Sequence, residues 1–182
     1  MTVEEVCMEI TISACWTTWG WVGTAVSREG LLGTSLPAVS RERALAPLLH
    51  ERPDAQDGMN PRLAALHEKL CRYFRGEIVD FHDQLLDTRE ATDFQARVWK
   101  AVRAIPYGQV CSYSWIANRA GSRRGARAVG RALAINPFPI VVPCHRVVGQ
   151  DGQLIGFAAG LAMKRRLLEL EAVQVTSPAA IV

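Results

Sequence analysis

Cys144 and His145 stand side by side in the run Pro143-Cys144-His145-Arg146-Val147, at the end of the apolar segment Phe138 to Val142. A thiol in that setting is a candidate nucleophile. The thiolate is the reactive form, so something must lower the thiol pKa, and His145 and Arg146 are the neighbours able to do it. A lone cysteine is more often a small buried hydrophobe. The remainder of the chain decides between the two.

The five cysteines, Cys7, Cys15, Cys71, Cys111 and Cys144, are odd in number and lack CxxC spacing, which speaks against a disulfide framework or a cysteine-rich zinc ribbon. No apolar run approaches the roughly 20 residues that cross a bilayer, and the N-terminus, with Glu4, Glu5 and Glu9, lacks the basic flank of a signal peptide. A soluble, cytoplasmic protein is the expectation. The net charge of +3 hides an asymmetry: residues 1–90 hold 9 basic against 14 acidic side chains, and residues 91–182 hold 12 against 4. The half with Cys144 is therefore the basic one, as a polyanion-binding face requires.

The elements that must position the thiol follow from periodicity and breakers. Residues 8–36 alternate β-branched runs with small-residue turns and predict three short strands of an antiparallel sheet. Arg41 to His50 predicts a helix, Glu51 to Asn60 a polar linker, and Asn60-Pro61 the cap and first position of a helix carrying Leu63, Leu66, Leu70 and Phe74. Ile78 to Thr88 predicts a strand plus connector, with a domain boundary at residue 88. Thr92 and Gln95 form a capping-box pattern before the stripe Phe94, Val98, Trp99, Val102 and Ile105. Ser112 or Ser114 then caps a short helix to Ala120, Gly121 turns the chain, and Ser122 caps a second helix running to about Ile135. Helix, glycine turn, helix is the pattern of a helix-turn-helix, though any αα-hairpin shares it.

The second of those helices combines Arg123, Arg124, Arg127 and Arg131 with Ala126, Ala128 and an interior Gly130. A thin, arginine-bearing face is what entry into a narrow groove of DNA requires. Close packing against a neighbouring helix would use the same small residues.

The stretch from Phe94 to Glu171 resembles the C-terminal domain of the O6-alkylguanine-DNA alkyltransferases, also called methylated-DNA–protein-cysteine methyltransferases. The matching signatures are Ser112-Tyr113, Ala126-Arg127-Ala128-Val129-Gly130, Asn136-Pro137, the segment Pro139 to Val148 with Pro143-Cys144-His145-Arg146 inside it, Gly156-Phe157, and Gly160-Leu161 through Lys164 to Glu171. They keep the family's order and spacing over about 80 residues. The first half resembles the family's variable domain only loosely.

The resemblance implies an α+β fold: a small antiparallel-sheet, ribonuclease-H-like domain over residues 1–88 and a mostly helical domain with a helix-turn-helix over residues 89–182. It implies a monomer that needs no cofactor, acts on double-stranded DNA, and moves an alkyl group from O6 of guanine, or O4 of thymine, to its own Cys144 in a single irreversible turnover with the base flipped out. Arg127 is similar to the arginine that fills the vacated stack, and Tyr113 to the tyrosine that pushes the nucleotide out and supplies a proton to the departing base. Glu171 is similar to the glutamate that orients His145, which reaches the thiol through a water, and Asn136 to the residue bracing the turn before the active strand. Because neighbours in an extended segment point to opposite faces, direct contact between His145 and Cys144 is not expected. The DNA-binding face would comprise Ser112, Tyr113, Arg123, Arg124, Ala126, Arg127, Ala128, Gly130 and Arg131. The pocket would comprise Val147, Val148, Phe157, Ala158, Ala159 and Lys164. Ala158 and Ala159 stand where many members have larger or hydroxyl-bearing residues, which leaves an apolar wall and opens the range of alkyl groups. Some members hold a zinc through two Cys and two His; Cys7, Cys15, His50, His67 and His82 do not reproduce that spacing. Two other classes compete: a damage sensor like the alkyltransferase-like proteins, which replace the reactive cysteine, and a thiol hydrolase, which would need an oxyanion hole.

Overall fold

Thr11–Thr17 (β1), Gly20–Val26 (β2) and Leu31–Thr34 (β3) form the antiparallel sheet that the alternating pattern predicts. The computed structural model describes residues 9–173, so Cys7 and the tail beyond Val173 lie outside the described residues. Alternation sends the two sides of β2 to two helices. Gly23 and Ala25 meet Arg41–Glu51 (α1) through Ala44, Leu45 and Leu48, while Val22, Thr24 and Val26 meet Pro61–Phe74 (α2) through Leu63, Leu66 and His67. With both faces covered, β2 is buried along almost its whole length.

Two parts of this half differ from expectation. Gln56–Asp57 (β4), inside the predicted linker, pairs in parallel with Thr11 and Ile12, so the sheet order is β3-β2-β1-β4. A two-residue strand of exposed polar side chains leaves no hydrophobic pattern to read. The predicted strand in Ile78–Thr88 is absent: that segment is irregular and makes a single bridge, Leu86 beside Leu31, through Leu31 N–H to Leu85 O and Asp87 N–H to Leu31 O, both 2.8 Å. Its apolar residues fill the core from a loop, with Val79 and Phe81 buried.

Asp93–Arg103 (α3) begins at Thr92, where both hydrogen bonds of the capping box are made. Cys111–Ser112 (β5) leads into Tyr113–Arg119 (α4), capped by Ser112 Oγ on the Trp115 N–H at 3.1 Å. Gly121, at φ +82°, turns the chain toward Ala126–Ala134 (α5). The second cap departs from expectation. Ser122 O accepts from Gly125 N–H at 2.9 Å, closing a turn before the helix, so α5 starts at Ala126 and Arg123 and Arg124 precede it. Val147–Val148 (β6) pairs in parallel with β5, and Leu161–Leu170 (α6) closes the described chain.

One apolar cluster runs across residue 88, joining Leu63, Leu70, Tyr73 and Phe74 of α2 to Val98, Val102, Val142 and Leu167. At about 1.5–3 kcal/mol for each large apolar side chain buried, this shared core fixes one half on the other. Among the described residues no helix is long and apolar enough to cross a membrane.

Candidate active site

The thiol sits in backbone held by a single asparagine. Asn136 Oδ1 accepts from Phe138 N–H at 3.0 Å, while Nδ2 donates to Val142 O at 3.0 Å and reaches Cys144 Sγ at 3.4 Å. Inside this loop Ile140 has φ +74°, a costly left-handed conformation for a β-branched residue. Thr34 of β3 supports the loop, its N–H on Pro137 O at 2.8 Å and its hydroxyl on Pro139 O at 2.7 Å.

Cys144 opens a single 3₁₀ turn, Cys144–Arg146, and is not in an extended strand. Pro143 ends the loop, and Arg146 N–H donates back to Pro143 O at 2.9 Å, which curls the chain. Cys144 is 8% exposed. Burial pushes its thiol up, against the hydrogen bond from Asn136, the charge of Lys164 and the backbone N–H groups of Cys144 and His145. The cation acting on the thiol is thus Lys164. Arg146, one of the two neighbours expected to act on it, turns the other way.

Lys164 is fully buried, its Nζ donating to the carbonyls of Val147 at 2.5 Å, Ile155 at 2.8 Å and Gly156 at 3.3 Å. Burial brings it down to about 8, with the nearby thiol pulling the other way, so it remains mostly cationic at neutral pH.

Behind the thiol lies a polar cluster shielded from water. His145 is 1% exposed, and its Nε2 is 2.8 Å from Glu171 Oε1. Arg146 Nε donates to Glu171 Oε2 at 2.8 Å, a second guanidinium nitrogen to Oε1 at 2.9 Å, and the third to Ile105 O at 2.6 Å. Gly108 N–H adds a bond to Oε2 at 3.3 Å, and Tyr73 Oη donates to Oε1 at 2.7 Å. Burial alone would raise the Glu171 carboxyl, but His145 and Arg146 hold it down to about 2. A carboxylate accepts only, so Nε2 carries the imidazole proton and Nδ1 presents a lone pair. Nδ1 is buried and makes no hydrogen bond among the described residues. Burial holds His145 below its ordinary pKa, against the pull of Glu171. The neutral imidazole is therefore an unprotonated base at neutral pH.

Cys144 forms part of the floor of a 1030 Å³ cavity. Its walls include Arg127, Gly130 and Arg131 of α5, Tyr113, and Phe157, Ala158 and Ala159. Tyr113 Oη donates to Ile155 O at 3.1 Å and Gly156 O at 3.2 Å. Burial, with the Cys144 thiol nearby, pushes this phenol up to about 12. Gly130 has room for a side chain: a Cβ there would make only an ordinary van der Waals contact, with Tyr113 Cε1 at 3.9 Å. Close packing within the chain is thus not what its small size serves.

Some expected residues lie elsewhere. Val147 and Val148 are buried in β6 and do not line the cavity, nor does Lys164, which sits beneath it. Ser112 is buried and occupied as a helix cap. Arg123, Arg124, Arg127 and Arg131 are exposed, and Ala126 and Ala128 half-buried. Tyr73 and the Arg146–Glu171 pairing were not legible in the sequence. Tyr73 reads there as one more aromatic on an apolar helix, and nothing in its spacing marks its hydroxyl.

Fold and site together define an α+β protein with a thiol at a cavity floor, backed by a histidine–glutamate pair and flanked by an arginine-bearing helix. Residues 93–173 match the family model described as 6-O-methylguanine DNA methyltransferase, DNA binding domain. The methylated-DNA–protein-cysteine methyltransferase of Mycobacterium tuberculosis is 53% identical over 104 residues, 57% of this chain and 62% of that protein. The Salmonella typhimurium protein of the same name is 44% identical over 122 residues, 67% of this chain and 70% of that one. The crystal structure of Mycobacterium tuberculosis OGT in complex with DNA is similar at a TM-score of 0.72 and 37% identity, over 88% of this chain and 92% of that chain. The chain belongs to the methylated-DNA–protein-cysteine methyltransferase family. The aligned segment spans 62% of the mycobacterial relative's length.

Proposed function

We propose that this protein repairs double-stranded DNA by transferring the alkyl group of O6-alkylguanine, and of O4-alkylthymine, to its own Cys144. The observation that carries the proposal is the sulfur on the floor of a cavity whose wall is the thin, arginine-bearing face of α5. The alkylated base leaves the stack to enter the cavity, at a cost of a few kcal/mol. Arg127, exposed on that face, fills the gap, while Arg123, Arg124 and Arg131 meet phosphates. In this reading α4 and α5 act as a helix-turn-helix. The β3-β2-β1-β4 order, with β4 parallel to β1, supports a ribonuclease-H-like first domain ending near residue 88.

The chemistry is displacement at carbon. The thiol proton passes through a water to His145 Nδ1, and Glu171 and Arg146 hold the ring as it becomes cationic. Sulfur bonds to the alkyl carbon as the carbon–oxygen bond breaks, and the base leaves with its electron pair. Tyr113, protonated at neutral pH, gives a proton to the base and recovers one from solvent. Lys164 stabilises the thiolate electrostatically from below. A thioether has no internal route to hydrolysis, so each monomer reacts once. The bare lining of Ala158 and Ala159 leaves room for alkyl groups larger than methyl.

The test is Cys144→Ala with a duplex containing O6-methylguanine. Loss of transfer with retained affinity for the duplex is expected. Transfer that persists would overturn the assignment of the acceptor.

A further inference from the structure

Tyr73 is the one side chain of the N-terminal half whose polar atom enters the cluster behind the thiol, among the described residues. It is fully buried, and its ring packs edge-on against Phe74, Phe81 and Tyr107 at 5.2, 6.1 and 6.2 Å between centroids. A phenylalanine would satisfy those contacts. The hydroxyl is costly to bury unless bonded, and both hydrogen bonds it makes go to one pair: Glu171 Oε1 at 2.7 Å and His145 Nε2 at 3.3 Å.

We propose that Tyr73 is a positioning residue for alkyl acceptance: its hydroxyl, delivered by α2, clamps the Glu171–His145 pair and keeps the imidazole Nδ1 available as the base. This rests on the alkyl-transfer reading above.

Glu171 Oε1 receives three donors, Tyr73 Oη, His145 Nε2 and Arg146. An oxygen with two lone pairs divides its basicity among them, so Tyr73 weakens the hold of the carboxylate on the imidazole. Without the hydroxyl, Glu171 pulls harder on the Nε2 proton, the ring becomes more basic, and Nδ1 fills with a proton at a higher pH. The other groups acting on the ring do not offset this change: Arg146 from its own turn and Lys164 from α6 disfavour the cation throughout. Burial and Glu171 hold the Tyr73 phenol well above its ordinary pKa, so it stays a donor. The first half of the molecule thereby takes part in the chemistry of the second.

The experiment is the pH dependence of methyl transfer from an O6-methylguanine duplex to the full chain. Tyr73→Phe is compared with the unaltered protein, with Phe74→Leu, and with a ring-fluorinated tyrosine at position 73, which has the same shape and is a stronger donor. Tyr73→Phe is expected to slow transfer by under about twofold near about pH 9 and increasingly as pH falls, approaching about tenfold only on the acid side of the unaltered protein's limb, as that limb moves up by about one unit. The fluorinated residue moves that limb down, and Phe74→Leu lowers the melting temperature with the limb unmoved. DNA affinity stays constant in all four. Uniform slowing by Tyr73→Phe at every pH, or a limb that does not respond to fluorination, overturns the proposal; should Tyr73→Phe not fold, the fluorinated protein decides alone. Absence of transfer by the unaltered protein would sink the alkyl-transfer reading instead, a separate result.

Discussion

Each half of the molecule buries a histidine and places a glycine inside a regular element, and the reasons differ. In the N-terminal half, His67 bonds Thr24 Oγ1 at 2.8 Å, a neutral pair that closes a gap between α2 and the sheet. Gly23 is there because a Cβ would lie 2.5 Å from Ala44 O of α1. Both features are explained by packing. In the C-terminal half, His145 is bonded to a carboxylate and keeps an unpartnered nitrogen among the described residues, and Gly130 weakens α5 with no neighbour to make room for. Burial alone does not make a histidine a base, nor does a helical glycine make a binding face. The unpartnered nitrogen of His145 and the glycine at position 130 are the features that packing among the described residues leaves unexplained.

Glu171→Gln separates the two halves furthest. It leaves Arg146 and His145 buried beside a neutral amide, and a stability loss of about 3–5 kcal/mol is expected in chemical denaturation, together with loss of transfer. Next is the pair His145→Gln and His67→Gln. The first is expected to slow transfer about 100-fold; the second leaves transfer within about twofold and costs about 1 kcal/mol of stability. Equal effects on transfer would break the contrast. The glycines follow. Gly23→Ala forces the backbone of α1 to move and is expected to cost about 1–3 kcal/mol, whereas Gly130→Ala raises stability by up to about 1 kcal/mol and weakens DNA binding.

The smallest effect is in the pH dependence of stability. Burial holds both histidines below the ordinary 6.5, so the unfolded chain takes up protons first and stability falls as pH drops below about 6.5. Glu171, held at about 2 against an ordinary 4.5, contributes fully above about pH 4.5 and loses its contribution as pH falls from there toward 2. Melting temperatures across this range should show a shallower upper slope in either histidine variant.

What could be read in advance was local. The Thr92–Gln95 box, the Asn60-Pro61 start and the three strands depend on near neighbours, and each is present. Ser122 does not cap α5, because serine offers both a side chain and a carbonyl, and here the carbonyl closes a turn with Gly125. Ile78–Thr88 alternates in burial at its start, with Val79 and Phe81 in the cluster both halves share, but its backbone meets a strand only at the Leu31–Leu86 bridge, so no strand forms among the described residues. At the site, Cys144, His145 and Asn136 lie within nine residues of one another, a spacing that can be read. Tyr73, which meets Glu171 across 98 positions, left no mark.

Peptide mass spectrometry of the full chain, after incubation with a duplex bearing O6-methylguanine, decides whether Cys144 is the alkyl acceptor. One methyl group on the Cys144 peptide, mole for mole with lesion lost and with Cys15, Cys71 and Cys111 unchanged, is the predicted result. Lesion loss with an unmodified Cys144, or methyl spread over the other thiols, would contradict the account.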